Sequence, residues 1–464
     1  MANMIKIGLY LFIFFLPWQT RLIWQDAFIN GSVWEYGRLS LYGTEILLWL
    51  VLGFFGFWLW RHKKNHRLSM AEMIRQSRQP AAAVYWLMVI FIFVAAISIL
   101  FAPSRQLAYY AWLHLAASAA LVALVVNIKP DFSKVAFSFC LSAALQGLFG
   151  IGQFFTQSVF ANKWLGLALH LPNSAGAVVL ETASERWLRA YGSFPHPNIL
   201  GGYLVLGLIF LFYFAWRLDQ PKARWAVLAG ILIMAAGLFF TFSRSAWLAL
   251  ILVLALLGFW LIYIKDKNGV WQWRKILLVL LVLFSALSAI YWPLLAARLM
   301  GEGRLEAVSI SQRLSFTTQA LQLIGAHWLG GTGIGNYTLA VFQNISRVWP
   351  GHYYQPVHNI YLLIFAELGI FGALVFGAMV FLLLFSLTKR IFLTRAAPAG
   401  ISEPGGADTS ALPLEQEAAM ALLCLIAILF IGLFDHYFWT LFSGIMVFWL
   451  IFALNLRNLK GNSR

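Results

Sequence analysis

The sequence predicts an all-α polytopic membrane protein, with about twelve transmembrane helices and a large outer loop that carries short amphipathic helices. Three observations predict it. The 464 residues are 61% hydrophobic and only 11% charged, a balance unsuited to the surface of a soluble domain. Mean hydropathy is +0.78. Apolar runs close to the ~20 residues needed to cross a hydrocarbon core recur along the whole chain.

In order, those runs are residues 7–19, 44–60, 82–102, 106–127, 134–157, 198–216, 224–242, 245–264, 275–296, 359–387, 416–434 and 438–456. The first is short and follows Lys6, as a signal peptide would, but no small-residue cleavage site comes after Pro17, so it reads as a helix. The predicted organisation is helices one to five over 1–157, an outer loop over 158–197, helices six to nine over 198–296, a large outer loop over 297–358, and helices ten to twelve over 359–464. Within the last block, 388–414 is rich in Ala, Pro and Gly and reads as a flexible cytoplasmic linker.

Basic residues in short loops stay on the cytoplasmic side of a membrane. The densest cluster runs from Arg61 to Arg67 and extends to Arg75 and Arg78. Alternate loops agree with it, at Lys129 and Lys134, at Arg217, Lys222 and Arg224, from Lys265 to Lys275, from Lys389 to Arg395, and from Arg457 to Arg464. Both termini are therefore expected in the cytoplasm. The net charge of +16 is this topology signal plus attraction to anionic headgroups, and no nucleic-acid partner is expected. Cys140 and Cys424 fall inside predicted helices, where they read as apolar packing.

The 17 acidic residues are scattered, with no Asp-x-Asp pair in an outer loop, so neither a metal nor a cofactor is expected. Arginine is the better handler of an anion there, because its planar fork matches phosphate oxygens and stays charged. Arg244 stands in the short hinge Thr241-Phe242-Ser243-Arg244-Ser245 between two apolar runs. An arginine at a helix centre costs about 2.5–3.5 kcal/mol, so two readings stand: anion binding, or snorkelling to headgroups. Ser243 is placed to cap the helix that follows. Arg189 lies nine residues before Asn198 in Arg189-Ala190-Tyr191-Gly192-Ser193-Phe194-Pro195-His196-Pro197-Asn198. A structural turn accounts for the prolines and for Asn198 as a helix cap, but not for Arg189 or His196.

His358 and Asn359 open the longest apolar run. Histidine is the side chain suited to proton transfer near neutrality, and the alternatives for His358 are helix capping or orienting an anion. Weaker candidates are His352, Arg313 as a third cationic contact, and Glu367, an acid in an apolar run that needs a partner or a proton. Gly330, Gly331, Gly333 and Gly335 read as a tight turn, not as a dinucleotide fingerprint.

These phrases, with Gly331-Thr332-Gly333-Ile334-Gly335-Asn336-Tyr337 and Glu367-Leu368-Gly369, resemble the O-antigen ligase and O-antigen polymerase superfamily of bacterial envelope glycan enzymes. The resemblance implies a multi-pass protein of the bacterial inner membrane with large periplasmic loops. It implies metal-independent transfer of a glycan from undecaprenyl pyrophosphate to an acceptor hydroxyl on the periplasmic face. The expected partners are that lipid-linked donor, a lipid or glycan acceptor and membrane lipids. Arg189 and Arg244 match the arginines that hold the pyrophosphate, and His358 matches the histidine that activates the acceptor. Arg313, His196, Asn198, His352, Asn359 and Glu367 remain candidate substrate contacts. A ligase role in lipopolysaccharide biosynthesis is the leading expectation and a repeat-unit polymerase the alternative. A secondary transporter predicts internal repeats and polar residues at mid-membrane, whereas the candidates here gather at one boundary.

Overall fold

The computed structural model describes residues 1–62, 79–182, 185–217, 220–300, 304–393 and 411–460. The basic run beyond His62 through Arg78, the tail beyond Lys460 and most of the expected linker at 388–414 lie outside them.

Among the described residues eleven helices are long and apolar enough to cross a membrane, so the protein is an all-α, multi-pass membrane protein. They are α2 (Gly43–His62), α3 (Pro80–Ser98), α4 (Arg105–Ile128), α5 (Phe132–Thr156), α6 (Pro197–Arg217), α7 (Pro221–Phe240), α8 (Arg244–Tyr263), α9 (Lys267–Ile290), α13 (Ile360–Leu393), α14 (Ala411–Ile431) and α16 (Phe442–Lys460). The expected twelfth is α1 (Ala2–Phe15), whose 14 residues span about 21 Å at 1.5 Å per residue, less than a ~30 Å core. It packs on α2 and α5 through Ile5, Leu9, Phe12 and Ile13. Arg457, near the end of α16, donates to Pro130 O and pairs with Glu417, which also faces Arg217, so the end of α16 and the basic connections after α4 and α6 share one end of the bundle. The long connections gather at the other end, called the loop end below.

Helix α6 is central and nearly all of it is buried, whereas few residues of α9 are buried. Helix α9 packs on the bundle through partly buried residues such as Trp273, Leu283 and Phe284, as a peripheral, lipid-facing helix should. Helices α5, α7, α8 and α14 all contact α6, while α3 packs on α13 and α16 packs on α4. Small hairpins, absent from the sequence expectation, cover the loop end: β1 (Arg21–Gln25) pairs with β4 (Leu39–Tyr42), β2 (Phe28–Ile29) with β3 (Ser32–Val33), and β5 (Val179–Glu181) with β6 (Arg186–Leu188), all antiparallel. The 297–358 region holds the end of α10 (Trp292–Met300), then α11 (Arg304–His327) and α12 (Tyr337–Asn344). At 24 residues α11 has the length of a span, but its polar residues keep it out of the apolar set.

Helix α13 is broken at Gly369, whose φ of 65° and ψ of −167° are not helical. The break frees backbone carbonyls, and the glycine loop fills the gap. Thr332 N–H donates to Ala366 O and Gly333 N–H to Glu367 O, each at 2.8 Å, and Ile370 N–H donates to Trp328 O at 2.8 Å. Gly331 lies at φ 70°, where a Cβ would stand 2.3 Å from Glu367 O, and a Cβ on Gly369 would stand 2.2 Å from Leu329 O. Glycine is required at both positions by backbone conformation and by close approach. Gly369→Ala is expected to destabilise the protein by more than the ~1–2 kcal/mol of left-handed strain alone, read as a lowered Tm in detergent. An unchanged Tm would contradict this account of the break.

Candidate functional site

The site is assembled at the loop end around the turn that joins α7 to α8. Phe242 takes a left-handed conformation there, with φ 47°. Thr241 Oγ1 accepts from Ser243 N–H at 3.2 Å inside the turn, and the turn's carbonyls point outward to two buried arginines. Arg189 Nε donates to Thr241 O at 2.6 Å, and Arg298 Nε to Phe242 O at 2.9 Å. Arg244 opens α8 from the same turn and donates through Nη1 to Arg298 O at 3.3 Å. Ser243 holds the N-cap position of α8, but its side chain makes no capping bond; its hydroxyl faces Ser245 Oγ at 3.4 Å instead.

One carboxylate answers this group of cations. Glu306, on the first turn of α11, pairs with Arg298 through Oε1 and with Arg244 through Oε2, the latter at 3.1 Å. Arg313, farther along α11, pairs with no carboxylate among the described residues, and its charge is felt at Arg189, Arg298, His196, His358 and His436. Burial, and then the like charge of Arg298, pull Arg189 well below the ordinary arginine range. A guanidinium held against such desolvation gains unusually much from an anion.

A second cluster adjoins the first through Asn198. Its Oδ1 accepts from Arg189 Nη2 at 2.8 Å, and its Nδ2 donates to Asp435 Oδ2 at 3.1 Å. Asn198 is thus a bridge and not the helix cap the sequence suggested; His196 Nδ1 accepts its backbone N–H instead, at 3.1 Å. Asp435 and His436 occupy the turn between α14 and the short α15 (Tyr437–Thr440). Asp435 Oδ1 accepts from His436 N–H at 3.0 Å, and His436 Nδ1 lies 2.8 Å from Thr440 Oγ1. The ring of His358 stacks on Phe316 with centroids 5.8 Å apart and meets His436 edge-on at 5.0 Å. His358 Nδ1 is buried without a hydrogen-bond partner. Nitrogen and oxygen atoms of His358, Asp435 and His436 lie within 4.8 Å of one another, close enough to share a proton or to hold a cation.

Burial lowers the pKa of His358, with Asp435 opposing the fall and Arg313 adding to it. Burial likewise takes His196 and His436 to about 3. For Asp435, burial pushes the carboxyl up, but the three histidines and Asn198 outweigh it and hold it below the usual carboxylate range. At neutral pH the cluster therefore comprises neutral imidazoles beside an ionised carboxylate.

The remaining sequence candidates make other contacts. Asn359 caps α13, its Oδ1 accepting from Tyr361 and Leu362 N–H at 2.9 and 3.0 Å, while its Nδ2 donates to Leu433 O. Glu367 is buried at the glycine loop and accepts from Trp439 Nε1 at 2.8 Å and from Tyr337 N–H at 3.4 Å. His352 is exposed beside Ser32 and Tyr353. The sequence reading missed Asp435, His436, Arg298 and Glu306. A signal existed for the first two, since Asp435-His436 is a polar hinge between two apolar runs, as Arg244 is.

Residues 229–377 match the family model O-antigen ligase. That segment is of the O-antigen ligase superfamily. It includes Arg244, Arg298, Glu306, Arg313 and His358, while Arg189, Asn198, Asp435 and His436 are brought to it by the fold from outside. No curated protein matches the chain.

Because the folded pKa values of His196, His358 and His436 are depressed, the unfolded chain binds more protons than the folded one once pH falls below the ordinary histidine value of 6.5. Their stability contribution is complete above that pH and is lost on acidification, by about 1.36 kcal/mol per pH unit for each histidine left neutral. Thermal melts in detergent between pH 7.5 and 5 are expected to show Tm falling with acid, and His436→Gln is expected to shallow the fall. A Tm that holds or rises down to pH 5 would contradict the assignment of neutral buried histidines.

Proposed function

We propose that the protein transfers a glycan from undecaprenyl pyrophosphate to an acceptor hydroxyl at the loop end, in the manner of a ligase. In this proposal the loop end faces the periplasm, an orientation supported by the basic residues at the opposite end. The observation that carries the proposal is the adjacency of two unlike sites, an arginine cluster fit for a pyrophosphate and a neutral histidine beside a carboxylate. Four arginines, Arg189, Arg244, Arg298 and Arg313, stand with two carboxylates, Glu306 and Asp435. The excess of two positive charges suits a pyrophosphate diester, which carries two negative ones.

In the proposed step the acceptor hydroxyl oxygen attacks the anomeric carbon as its proton passes to His358. The bond from that carbon to the phosphate oxygen breaks, and its electron pair leaves on undecaprenyl pyrophosphate. Direct displacement of this kind inverts the anomeric centre. Asp435 stabilises the imidazolium that forms on His358, and Asn198 connects that carboxylate to Arg189, so that the two sites are held in one register. The carrier bond supplies the driving force, and no nucleotide is required. One well-placed donor to developing negative charge contributes about 2.7–4 kcal/mol, and a general base roughly a hundredfold to ten-thousandfold in rate.

We assign His358, Asp435 and His436 to proton handling rather than to a metal. Both carboxylate oxygens of Asp435 already accept N–H groups, from Asn198 and His436. The charge of Arg313 also acts on His358 and His436 and disfavours a cation there.

The test is transfer of a polyprenyl-pyrophosphate-linked glycan by the purified protein with EDTA present. Wild type is expected to be active. Arg244→Ala and Arg298→Ala are expected to lose about a hundredfold or more, and His358→Ala and Asp435→Asn a comparable factor in kcat. Loss of wild-type activity on chelation, restored by a divalent cation, would overturn the metal-independent mechanism. Folded wild type that transfers to no lipid or glycan acceptor, while moving a solute across vesicles, would overturn the enzymatic reading.

A further inference from the structure

Glu306 enters the proposed transfer only through its charge, and it lies where an anion belongs. Its two oxygens divide between Arg298 and Arg244, as the oxygens of a phosphate divide between two guanidiniums. The arginines do not depend on it for position. Arg298 is anchored on Phe242 O, Arg189 on Thr241 O and Asn198, and Arg244 on Arg298 O. The Arg244 side chain is 32% exposed and that of Glu306 12%, so the cluster opens to solvent on the Arg244 side with Glu306 just beneath it. The carboxylate can therefore leave without unfastening the cations.

We propose that Glu306 is a built-in stand-in for phosphate, which occupies the arginines in the resting protein, yields them to the donor pyrophosphate, and takes them back to expel the product. This inference rests on the function proposed above and deepens it. The donor is a pyrophosphate diester, whereas the product, once its bond to the sugar has broken, is a monoester that gains a further negative charge. The product is thus the tighter ligand of an arginine cluster, and a site built of arginines alone would hold it. An internal carboxylate that competes for the same guanidiniums weakens donor and product together, and weakens most the ligand that needs all of the cations. Glu306 is a positioning and release residue and touches no reacting atom.

Glu306→Gln keeps the shape and removes the charge. Wild type and variant, reconstituted in nanodiscs, are compared for binding of inorganic pyrophosphate, for donor KM and kcat, and for inhibition by undecaprenyl pyrophosphate. The expected result for the variant is several-fold tighter pyrophosphate binding, a several-fold lower donor KM, a several-fold lower kcat and stronger product inhibition. A structural tie would give the opposite pattern, with pyrophosphate binding weakened and KM raised as the arginines lose their place, and that result overturns the proposal. Should the glutamine variant fail to fold, Glu306→Asp serves. Its shorter carboxylate competes less well, so donor KM falls below that of wild type, and an unchanged or raised KM overturns the proposal. Folded wild type that binds no pyrophosphate and turns over no donor refutes the phosphate site itself; pyrophosphate binding with the two variants unaltered refutes only the role of Glu306.

Discussion

The arrangement at the loop end depends on one strained turn. Phe242 is not a glycine, yet it sits at φ 47°, which costs roughly 1–2 kcal/mol. The compensation is aromatic packing: its ring is fully buried, 5.4 Å from Phe239, 6.0 Å from Trp247 and 6.1 Å from Phe154. That cluster holds the backbone in a conformation which presents two successive carbonyls outward, one to Arg189 and one to Arg298. Remove the turn and two arginines that are distant in sequence lose their common anchor.

Anchoring a guanidinium on carbonyls rather than on carboxylates has an electrostatic consequence. The hydrogen bonds fix direction while leaving the charge uncompensated, so the cation remains available to a ligand. Of these arginines, only Arg244 and Arg298 meet a carboxylate among the described residues, and they share one, Glu306. Asn198 performs the matching task on the other side, since a neutral amide can link Arg189 to Asp435 without cancelling either charge. The cationic half and the proton-accepting half are thereby coupled in position and kept apart in charge.

The membrane class, eleven of the spans and the crowding of Arg189, Arg244 and His358 at one end were legible in the sequence, because hydropathy and loop position are local properties. The kink at Gly369 and its glycine loop were only half legible: the glycines announced a turn, but not that the turn fills a broken helix 34 residues away in sequence, as Thr332 does at Ala366. Asn198 and Asn359 looked alike before helices, and only the fold separates a bridge between charges from a cap. Arg298 and Glu306 carried no local signal, since their roles arise from a turn 56 residues from Arg298 and a cation 62 residues from Glu306. Asp435 and His436 were legible by the argument that singled out Arg244, a charged hinge too short to be a loop.

The most direct measurement is a structure of the protein with a polyprenyl-pyrophosphate-linked sugar bound. The account predicts both phosphates among Arg189, Arg244, Arg298 and Arg313, with the anomeric carbon turned toward His358. Phosphates seated elsewhere, with this arginine cluster unliganded and His358 remote from the sugar, would contradict it.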